Sequence, residues 1–372
     1  MRIDNNTRAF LSLVQAGLWE QEVRLEPFGK VDFEEIMRLA EEQSVVGLVT
    51  AGLEHVADVN VQSEDKLQFV GQTLQIEQRN EAMNAFIGNL VNKMRIHGIY
   101  TLLLKGQGIA QCYERPLWRT CGDVDFFLSK DNYQKAIDYL SPIAIWTEEE
   151  NYYIQHIAMT IDEWEVELHG TLRGGLWKRL DKTLDDVKKA IFFDGKIRSW
   201  KNKNVQVFLP KEDEDVIYVF SHILQHFFKE GIGLRQICDW CRLLWVYKEK
   251  INIDLLQHRL KAMGTETEWK TLAALAVDNL GMPMEAIPLY SPSEKWKCKS
   301  KQLMHEIIDL GNFGHNRDIS FQNATISITR KIKTFIHISG DTIKHFCIFP
   351  LDSIKVWWRR MGIGVKVMFN NI

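Results

Sequence analysis

The chain lacks any long apolar run. No segment of its 372 residues approaches the roughly 18 consecutive apolar residues of a membrane-spanning helix. Its first residues, MRIDNNTRAFLSLVQAG, offer no basic start followed by an unbroken apolar stretch, so no signal peptide is expected. Excess positive charge is missing as well. Lys and Arg number 46 against 49 Asp and Glu, a net charge of −3, which gives no global nucleic-acid signature. Cysteine is scarce: six scattered thiols in a chain this long argue against a disulfide framework and for a reducing, cytoplasmic setting. Cys238-x-x-Cys241 has redox spacing. It falls in a helical pattern, LRQICDWCRLLWVYK, without a second zinc-type pair, and reads as two buried thiols. Internal repeats and low-complexity tracts are absent. What remains is ordinary for a globular protein, 45% hydrophobic and 26% charged, and long enough for two or three domains.

Patterning divides the chain into four segments. Residues 1–95 form a helical N-terminal region. Phe33, Ile36, Met37, Leu39 and Ala40 recur at helical spacing. So do Leu67, Val70, Leu74 and Ile76, and then Phe86, Ile87, Leu90, Val91 and Met94. Asp32 followed by Glu35 is a capping-box-like start. Residues 96–204 alternate strand and helix. They read as a strand Tyr100–Leu104, a strand opening at Asp123, a helix Asp131–Leu140, and antiparallel strands Tyr152–Met159 and Trp164–Leu168. This predicts an α+β core with a small mixed sheet, not a repeating βαβ array. Residues 205–312 open with the strand VQVFL and an acidic helix start, Glu212–Asp215, which suits the helix dipole. They then read as a helical domain closing a cleft. Residues 313–372 change character, with nine Lys or Arg against three Asp and the run Trp357–Trp358–Arg359–Arg360. They read as a last helical layer packed on that domain, with Phe321, Phe335, Phe346 and Trp357 among its apolar positions. The less favoured reading is an arm for a polyanion or a membrane surface.

The richest stretch is LLLKGQGIAQCYERPLWRTCGDVDFFLSK, Leu102 to Lys130. Asp123 and Asp125, two apart on a strand, share one face and are close enough to share divalent metals. Two carboxylates at the edge of an apolar element cost stability unless something cationic sits there. Glu163, Glu165 and Glu167 share a face of a later strand, and taken alone are a solvated face. Gly106–Gln107–Gly108 opens a helix. Its glycines let backbone N–H groups approach an anion, or simply make a strand-to-helix turn. Lys105 and Arg119 are candidates for neutralising phosphate charge, and Arg119 alternatively braces the carboxylates. His169 faces the same side as Glu167, where it orients a reactant or serves as a hydrogen-bonded structural histidine. His222 and His226 have the i, i+4 spacing of zinc ligands, without the glutamate of H-E-x-x-H. With Arg235 and Asp239, four apart on the next helix, they read as an interhelical hydrogen-bond network lining the cleft.

L-K-G, then R-x-x-G-D-x-D (Arg119, Gly122, Asp123, Asp125), then E-L-H (Glu167, Leu168, His169) resembles the polymerase-beta-like nucleotidyltransferase superfamily. More narrowly it resembles a bacterial family described as uncharacterised nucleotidyltransferases. The resemblance runs from about Asp32 to about Leu244, including S-H-I-L-Q-H and D-W-C-R-L-L. It implies Mg²⁺ or Mn²⁺ held by Asp123, Asp125 and Glu167, with Glu165 as the competing third carboxylate. It implies a nucleoside triphosphate held by Lys105, Gly106, Gln107, Gly108 and Arg119. The NMP would pass to an unidentified acceptor: a small molecule, a sugar or a protein. Better-known members carry Gly-Ser where this chain has Gly106–Gln107, which removes a phosphate-gripping hydroxyl. Two rivals follow. One is an inactive nucleotidyltransferase fold that binds nucleotide or a partner without turnover. The other is a D-x-D glycosyltransferase, which needs a Rossmann-like domain where this chain reads helical.

Overall fold

The D-x-D strand lies in the middle of a seven-stranded mixed sheet. The computed structural model describes residues 4–312, 339–340 and 342–370. The strands are β1 (Leu102–Leu104), β2 (Asp123–Phe127), β3 (Trp146–Thr147), β4 (His156–Ile161), β5 (Trp164–His169), β6 (Ile197–Asn202) and β7 (Val205–Pro210). Their order is β3-β4-β5-β2-β1-β7-β6. β2 pairs antiparallel with β1 and parallel with β5, and β1 pairs parallel with β7. An α+β architecture with helical regions on either side in sequence is what the patterning predicts.

Alternation along the strands gives the sheet two unlike faces. Val124, Phe126, Val166 and Leu168 point to one side. There α4 (Ser63–Ile96) covers them with Met83, Ile87, Leu90, Val91 and Met94. A further helix, α6 (Lys130–Leu140), adds Tyr133, Ala136 and Leu140. Each fully buried side chain of this size contributes about 1.5–3 kcal/mol. A one-residue slip of β2 would drive its aspartates into this core, so the apolar face fixes the register that places the carboxylates.

The N-terminal helices α1 (Asn5–Trp19), α2 (Phe33–Glu42) and α3 (Val46–Glu54) do not merely flank the sheet. They share one core with α7 (Lys178–Phe193), α8 (Glu212–Lys229), α9 (Leu234–Tyr247), α10 (Ile253–Met263), α11 (Glu266–Leu280) and α12 (Glu294–Leu310). Between α6 and α7 the chain supplies β3 to β5, and the five-residue α5 (Gly106–Ala110) follows β1. Gln43 joins the two helical groups, donating to Ile307 O at 2.9 Å and accepting from Leu234 N at 2.9 Å. Asp32 caps α2, accepting from the amides of Glu34 and Glu35. Cys238 and Cys241 are buried free thiols, and burial pushes both thiol pKa values up.

Several elements differ from the sequence pattern. Leu67, Val70 and Leu74 are exposed, and Phe69 and Thr73 are buried instead. The Thr50 and Thr73 hydroxyls meet at 2.7 Å and fix that rotation of α4 against α3. β4 begins at His156, not Tyr152, because Asn151 and His156 pair across a tight turn in which Gln155 has φ +47°. Glu163 lies in the two-residue turn between β4 and β5, off the shared strand face. β3 and β6 are two strands the pattern did not reveal; β6 pairs with β7 through a turn at Lys203, φ +53°. Its charged residues, Arg198 and Lys201, suit the sheet edge it occupies. In the C-terminal segment, α13 (Pro350–Asn370) follows a buried Ile348 and Phe349 and buries Val356. Phe346 is exposed, and Phe321 and Phe335 lie outside the described residues. Arg359 donates to Tyr153 Oη at 2.7 Å and to Asp181 at 3.2 Å, and Arg360 donates to Phe228 O at 3.3 Å. Among the described residues no helix is long and apolar enough to cross a membrane.

Candidate active site

The parallel pairing of β2 with β5 sets Asp123 beside Glu165 and Asp125 beside Glu167. Asp123, Asp125 and Glu167 each offer a carboxylate oxygen, and these oxygens lie within 4.8 Å of one another. Glu165 occupies the same face but is exposed and stands outside that group.

Lys105 completes the cluster. It follows β1 with φ +48°, a conformation that is uncommon for a residue with a side chain and concentrates at functional sites. Gly106 follows at φ +41°. The turn brings Lys105 Nζ to 2.9 Å from Asp125 Oδ1 and 2.9 Å from His222 Nε2. His169 Nε2 lies 2.8 Å from the same Asp125 oxygen and 3.3 Å from Glu167 Oε2. Asp125 is only 1% exposed, so its charge is balanced by these two partners and scarcely by water.

Burial and neighbours set the protonation states. Burial alone would lower the Lys105 pKa, but Asp125, with Asp123 and Glu167 behind it, holds the ammonium well above its ordinary value. Burial and the Asp125 charge push Asp123 up. Burial would also raise Glu167, yet hydrogen bonds from His156 and His169 hold it well below the usual carboxylate range. His169 would be lowered by burial, and its bonds to Asp125 and Glu167 raise it to about 9. Burial, then Lys105 and His226, push His222 well below its ordinary value, so it is a neutral acceptor for Lys105 Nζ–H.

Between the polar face of the sheet and α8 lies a cleft of about 330 Å³. Lys105, Asp123, Glu167 and His169 line one wall, and Tyr218, His222, Gln225 and His226 line the other. Its size is at the lower end for small-molecule sites. A smaller hollow beside it is lined by Gly106, Asp125, Arg119, Arg235 and Asp239.

Three residues expected at the nucleotide have protein contacts of their own. Gln107 is buried and donates to Asn80 Oδ1 on α4 at 2.6 Å. Gly108 packs against β7, where a Cβ would meet Leu209 Cδ2 at 2.7 Å. Arg119 forms a buried two-pronged pair with Asp239, Nε–Oδ1 2.7 Å and Nη2–Oδ2 2.6 Å, rather than bracing Asp123 or Asp125. Burial would lower its pKa, and Asp239 raises it well above the usual value. Tyr113 Oη donates to the same Asp239 at 2.7 Å. Arg235 donates to Thr120 O at 3.0 Å. His226 Nε2 lies 3.0 Å from His222 Nε2, and its Nδ1 lies 2.7 Å from Glu230. The two α8 histidines thus belong to a hydrogen-bond network that ends on Lys105 and Asp125.

Sequence reasoning passed over His156. Its Nε2 lies 3.1 Å from Glu167 Oε2, and it pairs across β4–β5 with His169. The signal was there: a two-residue turn at Asp162–Glu163, with Asp162 at φ +54°, sets the hairpin register that opposes the two histidines. Tyr218 was also missed, since nothing marks it within an apolar helix.

A family model described as "Uncharacterised nucleotidyltransferase" matches residues 29–281, more than half of the chain. The chain belongs to that family. It therefore falls within the polymerase-beta-like nucleotidyltransferase superfamily. The family match reaches beyond Leu244 to Gly281 and takes in α10 and α11. No curated protein matches the chain, and no solved structure does.

Proposed function

We propose that this nucleotidyltransferase-family protein moves an NMP from a nucleoside triphosphate to an acceptor hydroxyl, phosphate or protein side chain. The observation that carries this reading is the convergence of Asp123, Asp125 and Glu167 beside Lys105 on one wall of the cleft. An all-oxygen donor set suits Mg²⁺ or Mn²⁺. Bound there, such ions would neutralise the triphosphate and make the acceptor oxygen a better nucleophile. The chain's own residues do the rest. Lys105, kept cationic by Asp125, faces the phosphates with a fixed positive charge. Gly106, at φ +41°, lines the hollow beside the aspartates, where a Cβ would crowd Cys121 Sγ at 3.3 Å. His169 holds the orientations of Asp125 and Glu167 together. Tyr218, His222 and Gln225 on α8 form the opposite wall and limit water around the reacting groups. The helices α1–α4 occupy the stretch where a D-x-D glycosyltransferase carries its Rossmann-like domain, which favours nucleotidyl transfer over that rival.

A second reading is nucleotide binding without turnover. It is favoured by Gln107, whose side chain is engaged with α4 and supplies no hydroxyl at the start of α5. The full chain incubated with each α-³²P-labelled NTP, with and without Mg²⁺ or Mn²⁺, distinguishes the two. Metal-dependent pyrophosphate release and label transfer, both lost in Asp123→Asn, are expected. Metal-dependent NTP binding with no pyrophosphate release would establish the second reading instead.

A further inference from the structure

Glu167 belongs to two groups of potential ligands. The second consists of His156 on β4, and Glu167 and His169 on β5, with one ligand atom from each lying within 4.8 Å of the others. Hairpin register makes the two histidines cross-strand partners, with ring centroids 4.9 Å apart. Both direct Nε2 at the same oxygen, Glu167 Oε2, at 3.1 Å and 3.3 Å. Metal–ligand bonds of about 2.0–2.1 Å, at tetrahedral or octahedral angles, place adjacent ligand atoms about 2.8–3.4 Å apart. The observed spacings fall in that window. His156 Nδ1, on the far side of the ring, faces Glu148 at 3.9 Å, where a carboxylate helps to orient a ligating imidazole. All three residues line the cleft, so an ion has an entry path and positions left for water.

We propose that His156, Glu167 and His169 form a transition-metal site, distinct in its donor chemistry from the aspartate pair and joined to it through Glu167. Two imidazole nitrogens and one carboxylate favour ions such as Zn²⁺, Fe²⁺ or Co²⁺, while Mg²⁺ prefers oxygen. The three ligands are complete without Asp123 or Asp125, so the site stands whether or not the protein transfers nucleotides. An ion there fixes the orientation of Glu167 and His169, and through them of Asp125.

Co²⁺ is the probe. The full chain, stripped with EDTA and returned to excess Mg²⁺, is titrated with Co²⁺ by equilibrium dialysis, and the cobalt X-ray absorption spectrum is recorded. One Co²⁺ per chain should be retained against Mg²⁺, with the scattering signature of two imidazoles in the unmutated protein. His156→Asn and His156→Ala should each weaken Co²⁺ binding by at least about tenfold, since losing a ligand costs no less than losing the partner that orients one. Asp123→Asn should leave Co²⁺ binding in place. Co²⁺ held no more tightly than Mg²⁺, or an oxygen-only spectrum in the unmutated chain, overturns the proposal. So does loss of Co²⁺ in Asp123→Asn with retention in both His156 variants, because the ion then occupies the aspartate site. NTP is absent throughout, so failure of nucleotidyl transfer would not alter any of these outcomes.

Discussion

Gln107 Nε2 donates to Asn80 Oδ1 at 2.6 Å, and Asn80 Nδ2 donates in turn to Leu117 O at 2.7 Å and Arg119 O at 2.8 Å. The Gln107 amide thus ties α5 to α4 and to the loop leading into β2. Its Nε2 is committed to this contact.

Replacing Gln107 by Ala leaves Asn80 Oδ1 buried and without its donor. A cost of about 1–3 kcal/mol is expected, with NTP affinity unchanged. The denaturation midpoint and an NTP titration check the two halves. Lost NTP binding at unchanged stability would make the amide a nucleotide ligand after all.

Arg119 and Asp239 lock the approach to β2 onto α9. Removing one partner leaves a buried charge unpaired, so Asp239→Asn or Arg119→Ala should cost about 3–5 kcal/mol. Arg119→Lys should also destabilise, since an ammonium cannot make both bonds at once. The pair Arg119→Met with Asp239→Leu should cost less than the sum of the two single changes, by a double-mutant cycle on thermal stability.

The sequence made the carboxylates legible for a definite reason. Strand periodicity puts Asp123 with Asp125, and Glu165 with Glu167, on shared faces without reference to anything distant. Which glutamate joins the aspartates was not local information. It depends on the register of β2 against β5, and the resemblance supplied it where patterning could not. The two-residue hairpin at Asp162–Glu163 was readable in principle and would have paired His156 with His169. The pairing of Arg119 with Asp239 was not local information either, because the two lie 120 residues apart on different elements. The exposure of Leu67, Val70 and Leu74 was illegible for a similar reason. Helical spacing identifies a stripe, but the neighbours of α4 decide which stripe is buried.

His169 should give the metal-free protein a pH-dependent stability. Its folded pKa, raised to about 9, lies above its ordinary value near 6.5. A group with a raised folded pKa contributes its full stability below the unfolded pKa and loses it as pH rises through the folded one. The melting temperature of EDTA-treated protein should therefore fall between about pH 6.5 and 9, and His169→Asn should lack that component. An unchanged pH profile in His169→Asn would remove the histidine from the electrostatic balance of Asp125 and Glu167.

Lys105→Ala removes the fixed positive charge beside Asp125. NTP binding should weaken more than NMP binding, because the charge lost is one that the β- and γ-phosphates would feel most. Equal losses for the two nucleotides, measured by titration with Mg²⁺ present, would place the ammonium away from those phosphates.

The central claim is that Asp123, Asp125 and Glu167 act together as a cation site for nucleotide. Asp125 is a poor residue on which to test it, since Asp125→Asn also strips Lys105 and His169 of their counter-charge. Among the described residues Asp123 makes no such pair, and neutralising it relieves repulsion from Asp125. The decisive measurement is calorimetric titration of NTP into the unmutated protein and into Asp123→Asn, each with and without Mg²⁺. The account predicts Mg²⁺-dependent binding in the first and its loss in the second, at a melting temperature no lower than that of the unmutated protein. Mg²⁺-dependent binding of the same strength in Asp123→Asn would contradict it.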